Sequence, residues 1–142
     1  MKKITICDKE YEIDCNAFTR FQYKKVFGRG IFSDIKILND FSEKQDKLRK
    51  ELNEKRMQKE EIEKQINSCM MENLDDFIDV IQRIAYILIY TANNKIVSFE
   101  EWLKGINKIE LNANWISEVT ELAVNSFCWW GTYTRNRKDN YW

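Results

Sequence analysis

The sequence predicts a mainly α-helical single domain, residues 1–142, with a small β-hairpin at its N-terminus. Apolar residues recur every three or four positions over residues 73–92, which is the period of an amphipathic helix. Residues 3–14 alternate between apolar and polar side chains, which is the period of a strand. Residues 34–72 are highly charged and contain no glycine or proline, so they are expected to form a long helical arm on a helical bundle.

The hairpin at 3–14 follows from four apolar residues placed around a short turn. With residues 8–9 as the turn, Ile6 is expected opposite Tyr11, and Ile4 opposite Ile13. All four side chains then share one face, and this face must rest on helices because an isolated hairpin is only marginally stable. Asp-Lys is a poor two-residue turn, so a longer loop is an alternative.

The residues after the hairpin predict a short helix and then the start of the arm. Asn16 is a suitable N-cap, and Gly28 is a suitable end for this helix. Ser33 is a second N-cap residue and predicts that the next helix begins at Asp34. The side chains expected on the buried side of the first helix are Phe18, Phe21, Val26 and Phe27.

The arm carries a narrow apolar stripe along its length. Residues 42–67 contain eight basic and seven acidic residues but only five apolar ones. A stripe this narrow is typical of a coiled-coil seam or a two-helix arm. One long helix and a helical hairpin broken near residues 53–58 both fit the pattern. Counted in heptads from Leu38, seven of the ten a and d positions are apolar: Leu38, Phe41, Gln45, Leu48, Leu52, Lys55, Lys59, Ile62, Ile66 and Cys69.

The partner of this stripe is open at the level of sequence. It can pack within the chain against the helix at 73–92, or it can contact another molecule, including a second copy of the chain. Lys55 and Lys59 occupy seam positions, which favours an imperfect and reversible pairing. The hypothesis for a partner contact or self-association therefore names four residues of the stripe: Leu48, Leu52, Ile62 and Ile66.

Residues 73–129 are expected to form the helical core. Asp75 and Asp76 lie in the first turn of the 73–92 helix, where the helix dipole favours acidic residues. The spacing of its apolar residues predicts a broad buried face. This face comprises Leu74, Phe77, Ile78, Ile81, Ile84, Ala85, Leu88 and Ala92.

Two shorter helices complete the predicted core. Ser98 and Glu101 form a capping box, which starts a helix that ends at Lys104. The last helix is expected to run from about Trp115 to Trp129. Its buried residues are expected to be Ile116, Val119, Leu122, Ala123 and Phe127.

The C-terminal tail, residues 130–142, mixes aromatic residues with three basic ones. Such a mixture can stack on bases and neutralise phosphates. Three cations give only a weak and salt-sensitive grip, so nucleic-acid binding is not the favoured role. Trp129 and Trp130 are expected to complete the core or to contact a partner.

Composition argues against an enzyme and against a bound cofactor or metal. The chain has no histidine, so it lacks imidazole ligands and histidine-based nucleophile activation. Its four cysteines form no CxxC pair, and no glycine-rich phosphate loop occurs. The paired carboxylates at 60–61, 75–76 and 100–101 are explained by helix starts and solvated faces.

Targeting signals are also missing from the sequence pattern. The N-terminus lacks the apolar stretch of a signal peptide. The most apolar run, residues 84–90, is far too short to span a bilayer. A cytoplasmic location without membrane contact is therefore expected.

Several stretches, in this order along the chain, carry a resemblance to a known family. They are ITICDKEYEIDCNAFTRFQYKKVFG at 4–28, GIFSDI at 30–35, LDDFIDVIQRIAYILIYTAN at 74–93 and WISEVTELAVNSF at 115–127. Together they resemble small tail assembly chaperones of siphophages and prophages of Gram-positive bacteria. The sequence departs from the family at the hairpin turn, where Cys-Asp-Lys replaces the commoner Asn-Gly-Lys.

The resemblance implies a non-enzymatic role in building a phage tail. Such chaperones coat the long helical tape measure protein, keep it soluble and help to recruit the tail tube protein. The arm would lie in the family's variable middle. The alternative from another class is a small phage or plasmid nucleic-acid-binding regulator, which dimerises through the arm and contacts nucleic acid through residues 131–142.

Overall fold

A computed structural model describes residues 2–110 and 113–127 of the chain. This part is mostly helical and contains one two-stranded antiparallel sheet, which confirms the predicted fold class. Its elements are β1 (Lys2–Ile6), β2 (Lys9–Ile13), α1 (Ala17–Phe27), α2 (Ile31–Glu54), α3 (Lys59–Met70), a 3-10 turn (Met71–Asn73), α4 (Leu74–Ala92), α5 (Phe99–Lys104) and α6 (Asn114–Phe127). Trp129, Trp130 and the tail 130–142 lie outside the described residues.

The hairpin forms with a different register from the predicted one. Ile4 pairs with Tyr11 instead of Ile13, because the turn falls at Cys7 and Asp8. Both turn residues have positive φ, 50° and 65°, as in the type I′ turn whose twist suits a two-residue hairpin. The register moves by two residues, an even number, so the apolar side chains keep their common face. Ile4, Ile6 and Ile13 are buried, and Tyr11 is partly buried.

The buried face of the hairpin rests on α4. The backbone N–H of Asp14, just after β2, donates a hydrogen bond to the carbonyl of Leu88 at 3.1 Å. Ile13 and Leu88 are both fully buried in the same apolar cluster. The predicted support of the hairpin by a helix is therefore confirmed.

Helix α1 begins and ends where the sequence predicts. The side-chain carbonyl of Asn16 accepts from the N–H of Phe18 at 2.9 Å, and the Thr19 side chain accepts from the N–H of Asn16. Gly28 ends the helix with a φ of 69°, a left-handed conformation that costs glycine little.

The buried face of α1 differs from the prediction. Its buried residues are Thr19, Gln22 and Tyr23, while the predicted core residues Phe18, Phe21 and Val26 are exposed. Thr19 turns inward because it finds a partner there: its hydroxyl lies 2.8 Å from the hydroxyl of Thr91. Of the four residues predicted to be buried, Phe27 alone packs partly against the core.

The arm is a helical hairpin. Helix α2 begins at Ile31, three residues before the predicted start, because Ile31 is fully buried and extends the apolar face of the helix. It ends at Glu54, and the chain reverses through residues 55–58 into α3. Arg56 in this loop has a φ of 57°, which breaks the helix. The break lies within the predicted region, and it decides between the two open alternatives.

Helix α4 is the centre of the fold, and its predicted position is confirmed. It contacts β2, α1, α2, α5 and α6, so it is buried on more than one side. Of its predicted core residues, Leu74, Ile78 and Ala92 are only partly buried. The other five, Phe77, Ile81, Ile84, Ala85 and Leu88, are buried, and so are Val80, Tyr86, Ile87 and Ile89, which the prediction did not include.

Helices α5 and α6 close the core. The Ser98 hydroxyl accepts from the N–H of Glu101 at 3.3 Å, as the predicted N-cap requires. Helix α6 starts at Asn114, one residue before the prediction, and its description ends at Phe127. Ile116, Val119 and Ala123 are buried and Leu122 is partly buried, while the side chain of Phe127 lies outside the described residues.

Candidate partner-binding surfaces

The predicted apolar stripe of the arm closes on itself. Leu52, Ile62 and Ile66 are at most 5% exposed and form one cluster between α2 and α3 with Met70, while Leu48 is partly buried beside them. The four residues assigned to a partner contact thus lie in the internal interface of the helical hairpin. Leu52, Ile62 and Ile66 can reach a partner only if α2 and α3 separate, so the assignment of the four residues stays a prediction.

The polar positions of the stripe mark the turn of the arm. Lys55 is the C-cap of α2, and Lys59 is the first residue of α3. Both lysines are exposed beside the loop, so neither charge interrupts the closed interface. The Arg49 guanidinium bonds to the carboxylate of Glu63 across the two helices and lowers the pKa of that carboxyl. The stripe is thus continuous in sequence, but the chain reverses at residues 55–58, so its two halves pack against each other.

Helix α1 presents large apolar side chains to solvent. Phe18 is 50% exposed and Phe21 is 59% exposed. Their rings stack with centroids 6.0 Å apart and an interplanar angle of 28°, which forms one apolar ridge. Lys24 and Lys25 follow Phe21 by three and four positions and therefore lie next to it on the helix surface. We call the surface of Phe18, Phe21, Lys24 and Lys25 the α1 face.

A third aromatic side chain lies at the flank of the α1 face. Phe32, in the first turn of α2, is 44% exposed. The guanidinium carbon of Arg20 lies 5.9 Å from the centroid of this ring, at the outer limit of a cation–π contact. Arg20 precedes Lys24 by four positions, so it extends the same basic surface.

The charge around the α1 face is of one sign. Between Asp14 and Asp34 the chain has four basic residues and no acidic one. Arg29 is engaged by Asp34, with Nη2 2.7 Å from Oδ1. The other three, Arg20, Lys24 and Lys25, form no ion pair within the part of the chain that the structure describes. Within the described residues, these three side chains therefore give the surface positive charge that no acidic side chain pairs with.

A buried polar cluster fixes the orientation of α1. The Tyr23 hydroxyl donates to Asp34 Oδ2 and accepts from Arg83 Nε at 3.2 Å. Arg83 Nε also donates to Asp34 Oδ2 at 3.2 Å. The close contact of Arg29 with Oδ1 lacks the geometry of a hydrogen bond, so it supplies charge rather than a directed bond. Tyr23 and Asp34 are both fully buried, which ties α1, α2 and α4 together.

The cluster has two consequences for the site. Burial, together with the bond to Asp34, raises the pKa of the Tyr23 hydroxyl well above its usual range. Tyr23 lies on the side of α1 opposite Phe21, so holding Tyr23 inward holds Phe21 outward. Sequence reasoning missed this cluster. One signal pointed to it: Arg83 is a charged residue in the most apolar helix of the chain.

An open groove runs between the arm and α6. Its volume is about 1100 Å³, and it is framed by Arg49 and Glu63 on one side and by Glu121 on the other. Three of the apolar residues in its floor, Met70, Phe77 and Ile116, are already buried. The apolar residues of the floor are Phe41, Met70, Phe77, Ile109, Ile116 and Val124.

The described residues offer no site for catalysis by a metal. Within 2–110 and 113–127, no three cysteine or acidic side chains come together as ligands. Cys7, Cys15 and Cys69 are free thiols, and burial raises the pKa of Cys15. In the same part of the chain, no helix is both long and apolar enough to cross a bilayer.

Comparison with known proteins found no relative of this chain. No family model, no curated protein and no solved structure matches the chain. A function is therefore inferred from the residues of the chain and from the resemblance of the four stretches.

Proposed function

We propose that the chain is a non-enzymatic phage tail assembly chaperone, which binds the tape measure protein in the host cytoplasm and assists assembly of the tail tube. One observation carries the proposal: the exposed phenylalanines of the α1 face. They lie in the stretch 4–28 that resembles the chaperone family, and Phe32 lies in the matched stretch 30–35. The two matched N-terminal stretches thus contain an exposed apolar surface.

An exposed apolar ridge suits a chaperone for a long helical protein. A tape measure protein carries extended apolar stripes and aggregates if these are left uncovered. A helix that presents Phe18 and Phe21 at i and i+3 can lie against such a stripe. Burying the exposed half of each ring stabilises a complex by about 1 kcal/mol. Contacts of this strength favour a complex that is displaced when tail tube subunits arrive.

The arm has a different place in this proposal. Its apolar stripe already stabilises the pairing of α2 with α3, and its outer surface is charged with both signs. We infer one of two roles for the arm. Either its charged surface limits contact with other molecules, or α2 and α3 separate during assembly. The α1 face needs no such opening, because its phenylalanines are exposed in the closed structure.

Co-expression with the tape measure protein of the same tail gene cluster tests the proposal. The variant is Phe18→Ser with Phe21→Ser, and the matched control is Met71→Ser with Val97→Ser. The control removes two exposed apolar residues, 66% and 56% exposed, from other surfaces. Wild type and control are expected to keep the tape measure protein in the soluble fraction, whereas the double phenylalanine variant is expected to lose it to the pellet.

Thermal unfolding monitored by circular dichroism accompanies this experiment. The phenylalanine variant is expected to melt within a few degrees of wild type, because exposed substitutions change stability little. If wild type leaves the tape measure protein insoluble, the chaperone proposal is wrong. If the folded phenylalanine variant protects as well as the control does, the α1 face is not the binding surface.

A further inference from the structure

The charge of the α1 face indicates the chemistry of its partner. We propose that Phe18, Phe21, Lys24 and Lys25 dock an amphipathic helix whose apolar stripe is flanked by acidic residues. This inference rests on the proposed function in one respect, namely that another protein is bound. The acidic flank of the partner is inferred from the α1 face itself.

The shape of the α1 face favours a helix as the occupant. Phe18 and Phe21 form a convex ridge along α1, and ridges of this kind fit the grooves between side-chain rows of another helix. The two rings already stack on each other, so each has one face less for stacking on a base. A helix can cover the outer ring faces and edges together without separating the pair.

The positive charge of Lys24 and Lys25 indicates that the partner is negatively charged at this contact. Lys24 and Lys25 border the ridge and form no ion pair within residues 2–110 and 113–127. Asp34, the acidic residue nearest in sequence after the helix, is buried and occupied by Arg29 and Arg83. A basic helix would bring like charges together over the ridge. An acidic flank can form ion pairs with Lys24 and Lys25, and its charge steers the encounter.

Designed peptides test the charge preference directly. Two fluorescein-labelled helices of about 21 residues carry the same leucine stripe at i, i+3, i+4 and i+7, one flanked by glutamate and the other by lysine. Binding to the full chain is measured by fluorescence anisotropy at low and at physiological salt. The acidic helix is expected to bind at least about tenfold more tightly than the basic helix, with a difference that shrinks as salt screens the charges.

Charge-neutral variants locate the effect on the α1 face. Lys24→Gln with Lys25→Gln is compared with Lys44→Gln and Lys47→Gln, which remove two exposed lysines from the arm. The first pair is expected to abolish the preference for the acidic helix, and the second pair is expected to retain it. Phe18→Ser with Phe21→Ser is expected to weaken binding of both peptides.

Several outcomes overturn the inference. They are equal affinity for the two peptides, a preference that survives Lys24→Gln with Lys25→Gln, and tighter binding of a dT20 oligonucleotide than of the acidic helix. A dimer of the wild-type chain in analytical ultracentrifugation that Phe18→Ser with Phe21→Ser abolishes would instead show that a second copy occupies the face. The proposed function fails separately, because the co-expression result does not depend on the sign of a designed peptide.

Discussion

The hydroxyl of Tyr23 donates a hydrogen bond to the carboxylate of Asp34, and both side chains are fully buried. Arg83 donates to both groups from α4, and Arg29 adds a second positive charge at the surface. Three helices are thereby joined through one carboxylate. This arrangement explains why α1 buries a polar face and leaves its phenylalanines outside.

Removing the carboxylate is expected to destabilise the fold strongly. Asp34→Ala leaves the mostly buried Arg83 without its anion, and breaking a buried pair in this way costs about 3–5 kcal/mol. Tyr23→Phe removes one hydroxyl and is expected to cost about 1–3 kcal/mol. The control is Asp40→Ala, which breaks the exposed Lys36–Asp40 pair of α2 and is expected to cost less than about 1 kcal/mol.

Urea unfolding measures these free energies, and the double variant tests the coupling. Asp34→Ala with Tyr23→Phe is expected to lose less than the sum of the two single losses, because both changes remove the same hydrogen bond. Strictly additive losses would show that the two groups do not act as one unit.

The same cluster predicts a loss of stability at alkaline pH. The pKa of Tyr23 is raised in the folded protein by burial and by its bond to Asp34, while an unfolded tyrosine titrates near 10. Above about pH 10 the unfolded chain releases this proton and the folded chain keeps it, so the unfolded state binds fewer protons. The free energy of unfolding should therefore fall by about 1.4 kcal/mol per pH unit from this group.

Unfolding measured from about pH 9 to about pH 11 in wild type and in Tyr23→Phe isolates this contribution. The contribution is fully present below pH 10, so the two proteins should differ by a constant amount there. Their curves should converge as the pH rises. Burial also raises the pKa of Tyr86, but that residue is common to both proteins. Parallel curves throughout would mean that Tyr23 titrates alike in both states.

The loop of the arm offers a stabilising substitution. Arg56 has a φ of 57°, a conformation that costs a residue with a Cβ about 1–2 kcal/mol relative to right-handed backbone. Arg56→Gly is expected to raise the free energy of unfolding by about 0.5–1 kcal/mol once the entropy of glycine in the unfolded chain is included. Lys55→Gly is the control, because Lys55 has a φ of −80° and glycine there should destabilise. A loss in both variants would contradict the left-handed loop.

The sequence predicted the elements better than it predicted which faces they bury. Periodicity located α4 and the caps located α1, because both signals are local. The prediction of which face of α1 is buried was wrong, because Thr19 and Tyr23 bond to residues outside that helix, Thr91 and Asp34. Local hydrophobicity assigns Phe18 and Phe21 to the core, since it contains no information on those partners.

The arm is a second case in which a local sequence pattern did not predict a tertiary contact. Its heptad pattern predicted a seam but not whether the seam closes within the chain or on another molecule. The structure shows the seam closed between α2 and α3, where the left-handed conformation of Arg56 reverses the chain, and arginine is not a residue whose identity signals such a turn. The α1 face was likewise missed as a candidate site, because its phenylalanines had been assigned to the core.

The apolar seam of the arm distinguishes a structural role from a partner-binding one. Replacing Leu48, Leu52, Ile62 and Ile66 together with glutamine is expected to melt the arm, since three of these four side chains are buried between α2 and α3. The core around α4 is a separate cluster and is expected to remain folded. Hydrogen exchange should then show lost protection in residues 42–70 and retained protection in α4.

Co-expression of the seam variant with the tape measure protein completes the comparison. If partner binding depends on the α1 face, the variant still keeps the tape measure protein in the soluble fraction despite its melted arm. The single variant Leu48→Gln, at a partly buried position, serves as a milder control that should leave the arm folded. Loss of the tape measure protein with the seam variant but not with Phe18→Ser and Phe21→Ser would assign binding to an opened arm.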